Sequence, residues 1–141
     1  MNSTLVANQA DKYLGKPYCL DDPINGWDCF NMLLDFYQAF GYQFPTEFEG
    51  YSLKAYKDLW LEDQDKAKQV LSRFLLSLGE PVEKNFFIRG DLLLFRIPRK
   101  NLFSAIALGN GNMKIAVQEG VTDVPFHIFQ KLFVGARRLI G

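Results

Sequence analysis

Apolar residues recur at helical spacing through the first half of the chain and predict a series of helices. Glycines follow three of these patterns, at Gly15, Gly41 and Gly79, and each is expected to end a helix. The predicted helices cover residues 5–14, 29–40, 53–60 and 63–78.

After Gly90 the pattern changes to short apolar runs that predict β-strands. The pair Asn110-Gly111 between two of these runs is a strong signal for a tight hairpin turn. The predicted strands cover residues 91–97, 102–108, 113–118 and 133–139. Helices followed by antiparallel strands indicate an α+β fold, with the N-terminal helices packed on a small sheet.

With 141 residues the chain has the length of one domain, and we expect a single domain over residues 1–141. Hydrophobic residues make up 48% of it and include thirteen Phe, which favours a well-filled core. Sixteen basic residues balance sixteen acidic ones, so we expect no nucleic-acid partner. No apolar run approaches the ~20 residues that span a bilayer, and no signal peptide is evident, so we expect no membrane insertion.

Cys29 is the strongest candidate for chemistry, because Gly26-Trp27-Asp28-Cys29 precedes an apolar helical pattern. A cysteine at a helix N-terminus has its thiolate stabilised by unpaired amides and the helix dipole. The alternative is that Cys29 is a small buried apolar residue. A nucleophilic cysteine also needs a base, and the only histidine of the chain is His127.

Several segments in order resemble the NlpC-type cysteine peptidases, a papain-like family that cleaves peptidoglycan stem peptides. The chain is most similar to the branch found among bacteriophage tail proteins. The matching segments are Tyr13-Leu14-Gly15-Lys16-Pro17-Tyr18, Gly26-Trp27-Asp28-Cys29, Gly90-Asp91-Leu92-Leu93-Leu94-Phe95, the strand from Phe103 to Gly111, residues 113–121, and Ala136-Arg137-Arg138.

The resemblance implies a site that has lost its base. It makes Cys29 the nucleophile and Tyr18 the active-site tyrosine, and it aligns the catalytic histidine with Phe103 and the orienting residue with Ile115. Neither replacement supports proton transfer, so Cys29 is interpreted as a vestigial nucleophile. We expect Phe103 to pack against Cys29 or close to it, with Ala105 and Ala107 on the same strand face and Ser104 on the opposite face.

These observations favour an inactive peptidase-like domain that serves as a structural or docking subunit of a phage tail, at the tip or hub. Its expected partners are other tail or tail-tip proteins and, in addition, peptidoglycan, and its expected location is the virion. The alternatives are an active endopeptidase whose base is His127 or a residue of a neighbouring subunit, and a cell-wall binder without cleavage. No cofactor is expected, and Cys19, Cys29 and His127 do not match a common zinc site.

Overall fold

The computed structural model describes residues 3–22, 24–53, 56–83, 86–98 and 102–140. Its helices lie close to the predicted ranges, because each has an amphipathic pattern and a clear stop. Gly15 and Gly41, which follow two of them, both have positive φ angles. The helices are α1 (Ser3–Asp11), α2 (Cys29–Gln38), α3 (Tyr56–Glu62) and α4 (Gln64–Ser77).

The strands are β1 (Glu47–Phe48), β2 (Tyr51–Ser52), β3 (Glu80–Val82), β4 (Leu92–Arg96), β5 (Leu102–Gly109), β6 (Asn112–Val117), β7 (Gly120–Pro125) and β8 (Phe133–Arg138). They form a two-stranded hairpin and a six-stranded antiparallel sheet with the order β3-β8-β4-β5-β6-β7. The α+β prediction is therefore confirmed. The hairpin, β3, β7 and a 3-10 helix at Phe126–Leu132 were not predicted.

The large sheet is covered on both faces. Leu92, Leu94 and Ile106 pack with residues of α1, α2 and α4, on what we call the helix face. The side chains between them, such as Leu93 and Ala105, belong to a second cluster on the outer face. Because successive side chains of a strand point to opposite faces, double coverage explains why β4 and β5 are apolar almost throughout.

Phenylalanines cover the outer face. The rings of Phe95 and Phe103 are stacked with centroids 4.9 Å apart, and Phe129 of the 3-10 helix meets Phe103 at 5.6 Å. Phe126 and Phe133 are 5.0 Å apart in the same group. The 3-10 helix is thus held to the sheet by aromatic contacts on the side away from α2.

Both edges of the large sheet have reduced capacity for further pairing. At one edge, β3 carries Pro81, which has no backbone N–H. At the other edge, the start of β7 is already paired, because Val121 donates to the Lys16 carbonyl and accepts from the Gly15 amide.

Candidate functional site

Asp28 sets the start of α2 and therefore the position of Cys29. It is the N-cap, in extended conformation, and its Oδ1 accepts a hydrogen bond of 2.6 Å from the Asn31 amide. A side-chain acceptor at this position satisfies one of the amides that a helix N-terminus leaves unpaired. Cys29 follows as the first residue of α2, as the sequence motif predicted.

The other oxygen of Asp28 ties two further segments to this point. Its Oδ2 accepts from the Asp21 amide at 2.7 Å and from the Tyr56 hydroxyl of α3. Burial, followed by the charge of Asp28, raises the pKa of Tyr56 well above its ordinary value, so the phenol remains protonated as a donor. Asp28 is thus a capping residue with three donors, and Tyr56 is a site residue that the sequence analysis missed.

A close backbone approach brings Tyr18 beside the thiol. The Trp27 amide donates to the Pro17 carbonyl at 2.9 Å, and a Cβ added to Gly26 would lie 2.4 Å from the same oxygen. Only glycine fits at residue 26. Burial, and then the electrostatic influence of Cys29 and Asp28, raises the pKa of Tyr18 to about 12. The structure therefore places Tyr18 and Cys29 together, while a role for Tyr18 in chemistry remains a prediction.

The thiol of Cys29 faces Ser104 of β5. Burial, and then the nearby charge of Asp28, raises the pKa of the thiol to about 11, although hydrogen bonding from Ser104 lowers it in part. Neither the amide nor the hydroxyl of Ser104 accepts a proton at neutral pH. The thiol is consequently protonated and has a donor beside it where a nucleophile needs a base.

The sequence predicts that Phe103 packs against Cys29 or close to it. Phe103 borders the same cavity as Cys29, but its ring lies in the outer cluster, stacked on Phe95. Ala105 does share a face with Phe103, as predicted, but that face is the outer one. A step of one residue along a strand reverses the face, so Ser104 is the residue that meets the thiol.

On the neighbouring strand β6, the residue that faces the helices is likewise one position beyond the residue that was expected there. Ile115 packs in the outer cluster, whereas Ala116 belongs to the cluster on the helix face. Ala116 is small and apolar, so it offers no group that would orient a base. Lys114, two residues earlier on that face, is buried and forms an ion pair with Asp123.

His127 lies away from this site. It is an exposed residue of the 3-10 helix, whose flanking Phe126 and Phe129 pack on the outer face. The sheet therefore separates this imidazole, the only one in the sequence, from the helix face that holds Cys29. Within the described ranges, no three His, Cys, Asp or Glu side chains are grouped to hold a metal ion, and both cysteines are free thiols.

A cavity of about 200 Å³ adjoins the thiol, between α2, α4 and β5. We call it the Cys29 cavity. Its wall is mainly hydrocarbon and aromatic, and Lys68 is the charged residue that lines it. The Lys68 ammonium lies over the indole of Trp60, 5.7 Å from the ring centroid. The apolar lining residues are Phe30, Trp60, Leu71, Leu75, Ile97, Leu102 and Phe103.

Comparisons with known proteins identify the fold. No protein-family model and no curated protein matches the chain. Among the described residues no helix has the length and apolar character to cross a membrane. Solved structures do match, and all three given below are less than 25% identical to this chain.

An NlpC/P60 family protein from Bacillus cereus superposes with a TM-score of 0.70 at 21% identity, over 100% of this chain and 41% of that protein. The NlpC/p60 domain of the peptidoglycan hydrolase SagA matches with a TM-score of 0.64 at 23% identity, over 98% of this chain and 99% of the domain. RipD from Mycobacterium tuberculosis is a non-catalytic NlpC/p60 domain protein adapted to peptidoglycan binding. It matches with a TM-score of 0.63 at 14% identity, over 98% of this chain and 97% of that chain. The helices and six-stranded antiparallel sheet of this chain therefore have the NlpC/P60-type fold.

Proposed function

We propose that this chain is a catalytically inactive cell-wall-peptidase-like domain and serves as a structural or docking subunit of a bacteriophage tail, at the tail tip or hub. The observation that carries the loss of catalysis is that the described residues lining the cavity beside the Cys29 thiol include Ser104 but no histidine or carboxylate. A working cysteine peptidase needs a group that removes the thiol proton, and a serine hydroxyl does not do so at neutral pH.

The surroundings of Cys29 support the same conclusion. The carboxylate next to the thiol, Asp28, disfavours a thiolate and is already engaged with three donors. The histidine is on the outer side of the sheet. Loss of the base from a cysteine-base unit lowers the rate by orders of magnitude, because its members act together.

The docking role rests on the sequence resemblance to tail-associated proteins and on a fold that is retained without its chemistry. Its partners would be other tail or tail-tip proteins, and its location the virion. Exposed apolar side chains such as Ile24, Leu61 and Phe86 offer surface that a partner would cover. The zero net charge is compatible with protein contacts of this kind.

Peptidoglycan is a second candidate partner, favoured by one comparison. RipD, a non-catalytic NlpC/p60 domain protein, is described as adapted to peptidoglycan binding. The same reuse here would give a tail subunit that contacts the cell wall without cutting it. Sedimentation of the purified chain with insoluble peptidoglycan, followed by mass spectrometry of the soluble fraction, separates binding from cleavage.

The alternative is an active endopeptidase that cleaves stem peptides with an unconventional base, supplied by His127 or by another subunit. Phage particles that carry Cys29→Ala distinguish it from the docking role, with Cys19→Ala as the matched control. We expect both variants to assemble and infect normally, whereas deletion of the chain impairs assembly. If particles that carry Cys29→Ala assemble but fail to penetrate the cell wall, that result would instead establish catalysis by Cys29.

A further inference from the structure

The Cys29 cavity has a composition that a catalytic thiol does not require. Apart from the thiol, Ser104 and Lys68, its wall is formed by hydrocarbon and aromatic side chains such as Phe30, Leu71 and Leu75. Apolar walls with a small number of placed polar groups are typical of small-molecule sites. The cavity therefore suits a ligand with an apolar body and one polar group.

Its size limits the ligand. The cavity measures about 200 Å³. A cavity of roughly 150 Å³ lined by similar residues holds benzene. On this scale the Cys29 cavity holds roughly eight non-hydrogen atoms, the number in a phenyl ring with a two-carbon arm.

Lys68 determines the polar group. It is half-buried, it lines the cavity, and none of the ion pairs among the described side chains includes it. Its ammonium lies over Trp60, another residue of the cavity wall. A cation in this position, without an acidic partner within the described chain, is complementary to an anion at the cavity.

We infer that the Cys29 cavity binds a small apolar monocarboxylate, with its hydrocarbon part among Phe30, Leu71 and Leu75 and its carboxylate on Lys68. The thiol does not oppose this, because burial keeps the pKa of Cys29 at about 11 and the sulfur uncharged at neutral pH. No covalent step is involved. The inference goes beyond the docking role and does not depend on it, since the cavity would be present in an active or an inactive domain.

The test compares an acid with its alcohol. 3-Phenylpropanoate and 3-phenylpropan-1-ol are titrated into the purified chain, and binding is followed by calorimetry and by the fluorescence of Trp60 in a Trp27→Phe background. For a ligand of this size we expect saturable binding of the acid with a Kd below roughly 5 mM. Absence of saturable binding of the acid to the wild-type chain overturns the inference.

Two lysine variants of α4 test the recognition of the carboxylate. Lys68→Gln should weaken binding of the acid by about three- to tenfold and leave the alcohol within about twofold, because only the acid loses a charged partner. Lys66→Gln, on the same helix and outside the cavity lining, is the matched control and should change neither. Equal weakening of acid and alcohol by Lys68→Gln, or no weakening of either, overturns the assignment of the carboxylate to Lys68.

The location of the binding site is tested in two ways, with a substitution that fills the cavity and with the wild-type chain. Leu71→Trp should fill the cavity and abolish binding of both compounds, with circular dichroism as the check on folding. Amide chemical-shift changes in the wild-type chain provide the same information if that variant does not fold. Changes centred on Cys29, Leu71 and Ser104 support the site, and changes confined to the outer cluster overturn it.

Discussion

Ser104 of β5 lines the same cavity as Cys29, and hydrogen bonding from Ser104 only partly offsets the raised pKa of the thiol. A serine hydroxyl is not a base at neutral pH, so this neighbour does not supply the proton acceptor that an active cysteine site needs. The thiol keeps the position of a nucleophile at the start of α2, but its environment favours the protonated form.

The first prediction is that Cys29 reacts slowly with electrophiles. In a Cys19→Ala background only one thiol remains. Because burial raises the pKa of Cys29 to about 11, the thiolate fraction at pH 7 is small, and alkylation should be roughly 100-fold or more slower than that of a model thiol of pKa ~8.5. The rate should rise about tenfold per pH unit and level off near pH 11. Mass spectrometry after timed alkylation measures it, and a rate at pH 7 above that of the model thiol contradicts the prediction.

The second prediction concerns the two faces of β5. Ser104→His would place an imidazole on the side of Cys29, where the cavity provides space, and should lower the pKa of the thiol. We expect alkylation at pH 7 to accelerate by about tenfold or more.

Phe103→His is the matched control, one residue along the strand. Its imidazole would lie on the outer face, so the rate should not change, while the lost apolar burial should cost about 1–3 kcal/mol of stability. Acceleration by Phe103→His rather than by Ser104→His would show that the face assignment is reversed.

The third prediction compares two helix caps. Asp28 is buried and accepts from the Asn31 amide, the Asp21 amide and the Tyr56 hydroxyl, so Asp28→Ala leaves three donors without their acceptor. We expect a loss of about 2–4 kcal/mol in the free energy of unfolding. Asp63→Ala removes the exposed cap of α4, which accepts from the Lys66 amide, and should cost about 1 kcal/mol. Urea unfolding of both variants checks this, and equal losses would argue against a central role for Asp28.

The fourth prediction tests the close approach at Gly26. In Gly26→Ala the new Cβ would lie 2.4 Å from the Pro17 carbonyl oxygen, so the segment that carries Tyr18 must move. We expect a loss of about 2–4 kcal/mol and a change in the fluorescence of Trp27, whose amide donates to that carbonyl. At Gly135 an added Cβ meets no atom within 4 Å, so Gly135→Ala should leave stability within about 1 kcal/mol. Unchanged Trp27 emission in Gly26→Ala would mean that the segment tolerates the methyl group.

Local patterns were sufficient for much of the fold. The predicted ranges 29–40 and 63–78 lie close to Cys29–Gln38 and Gln64–Ser77, because each helix has an amphipathic period and a definite end. β7 was missed because its exposed Thr122 and Asp123 are adjacent and interrupt the alternation that marks a strand. The strands of the small hairpin have only two residues each, too few for any period to be visible.

The motif around Cys29 was predictable for the same reason, since a cap, a helix start and a turn are local features. That Ser104 is the residue of β5 opposite the thiol was not predictable in this way. β5 is buried on both faces, so hydropathy does not show which of two neighbouring residues faces the helices. Ser104 is the single polar side chain between Leu102 and Leu108, and that isolated hydroxyl was the available signal. Tyr56 joins Asp28 from 28 positions away, a separation that no local pattern encodes.

The edges of the large sheet restrict how copies or partners of this domain assemble. A strand from another chain adds most readily where a row of backbone donors and acceptors is open. Here Pro81 interrupts one such row, and the backbone of Gly15 and Lys16 already occupies the start of the other. Association with another chain is therefore directed to side-chain surfaces, whose specificity can be set residue by residue. Edge-to-edge polymerisation, the characteristic hazard of packing many β-rich subunits together, is disfavoured by the backbone itself.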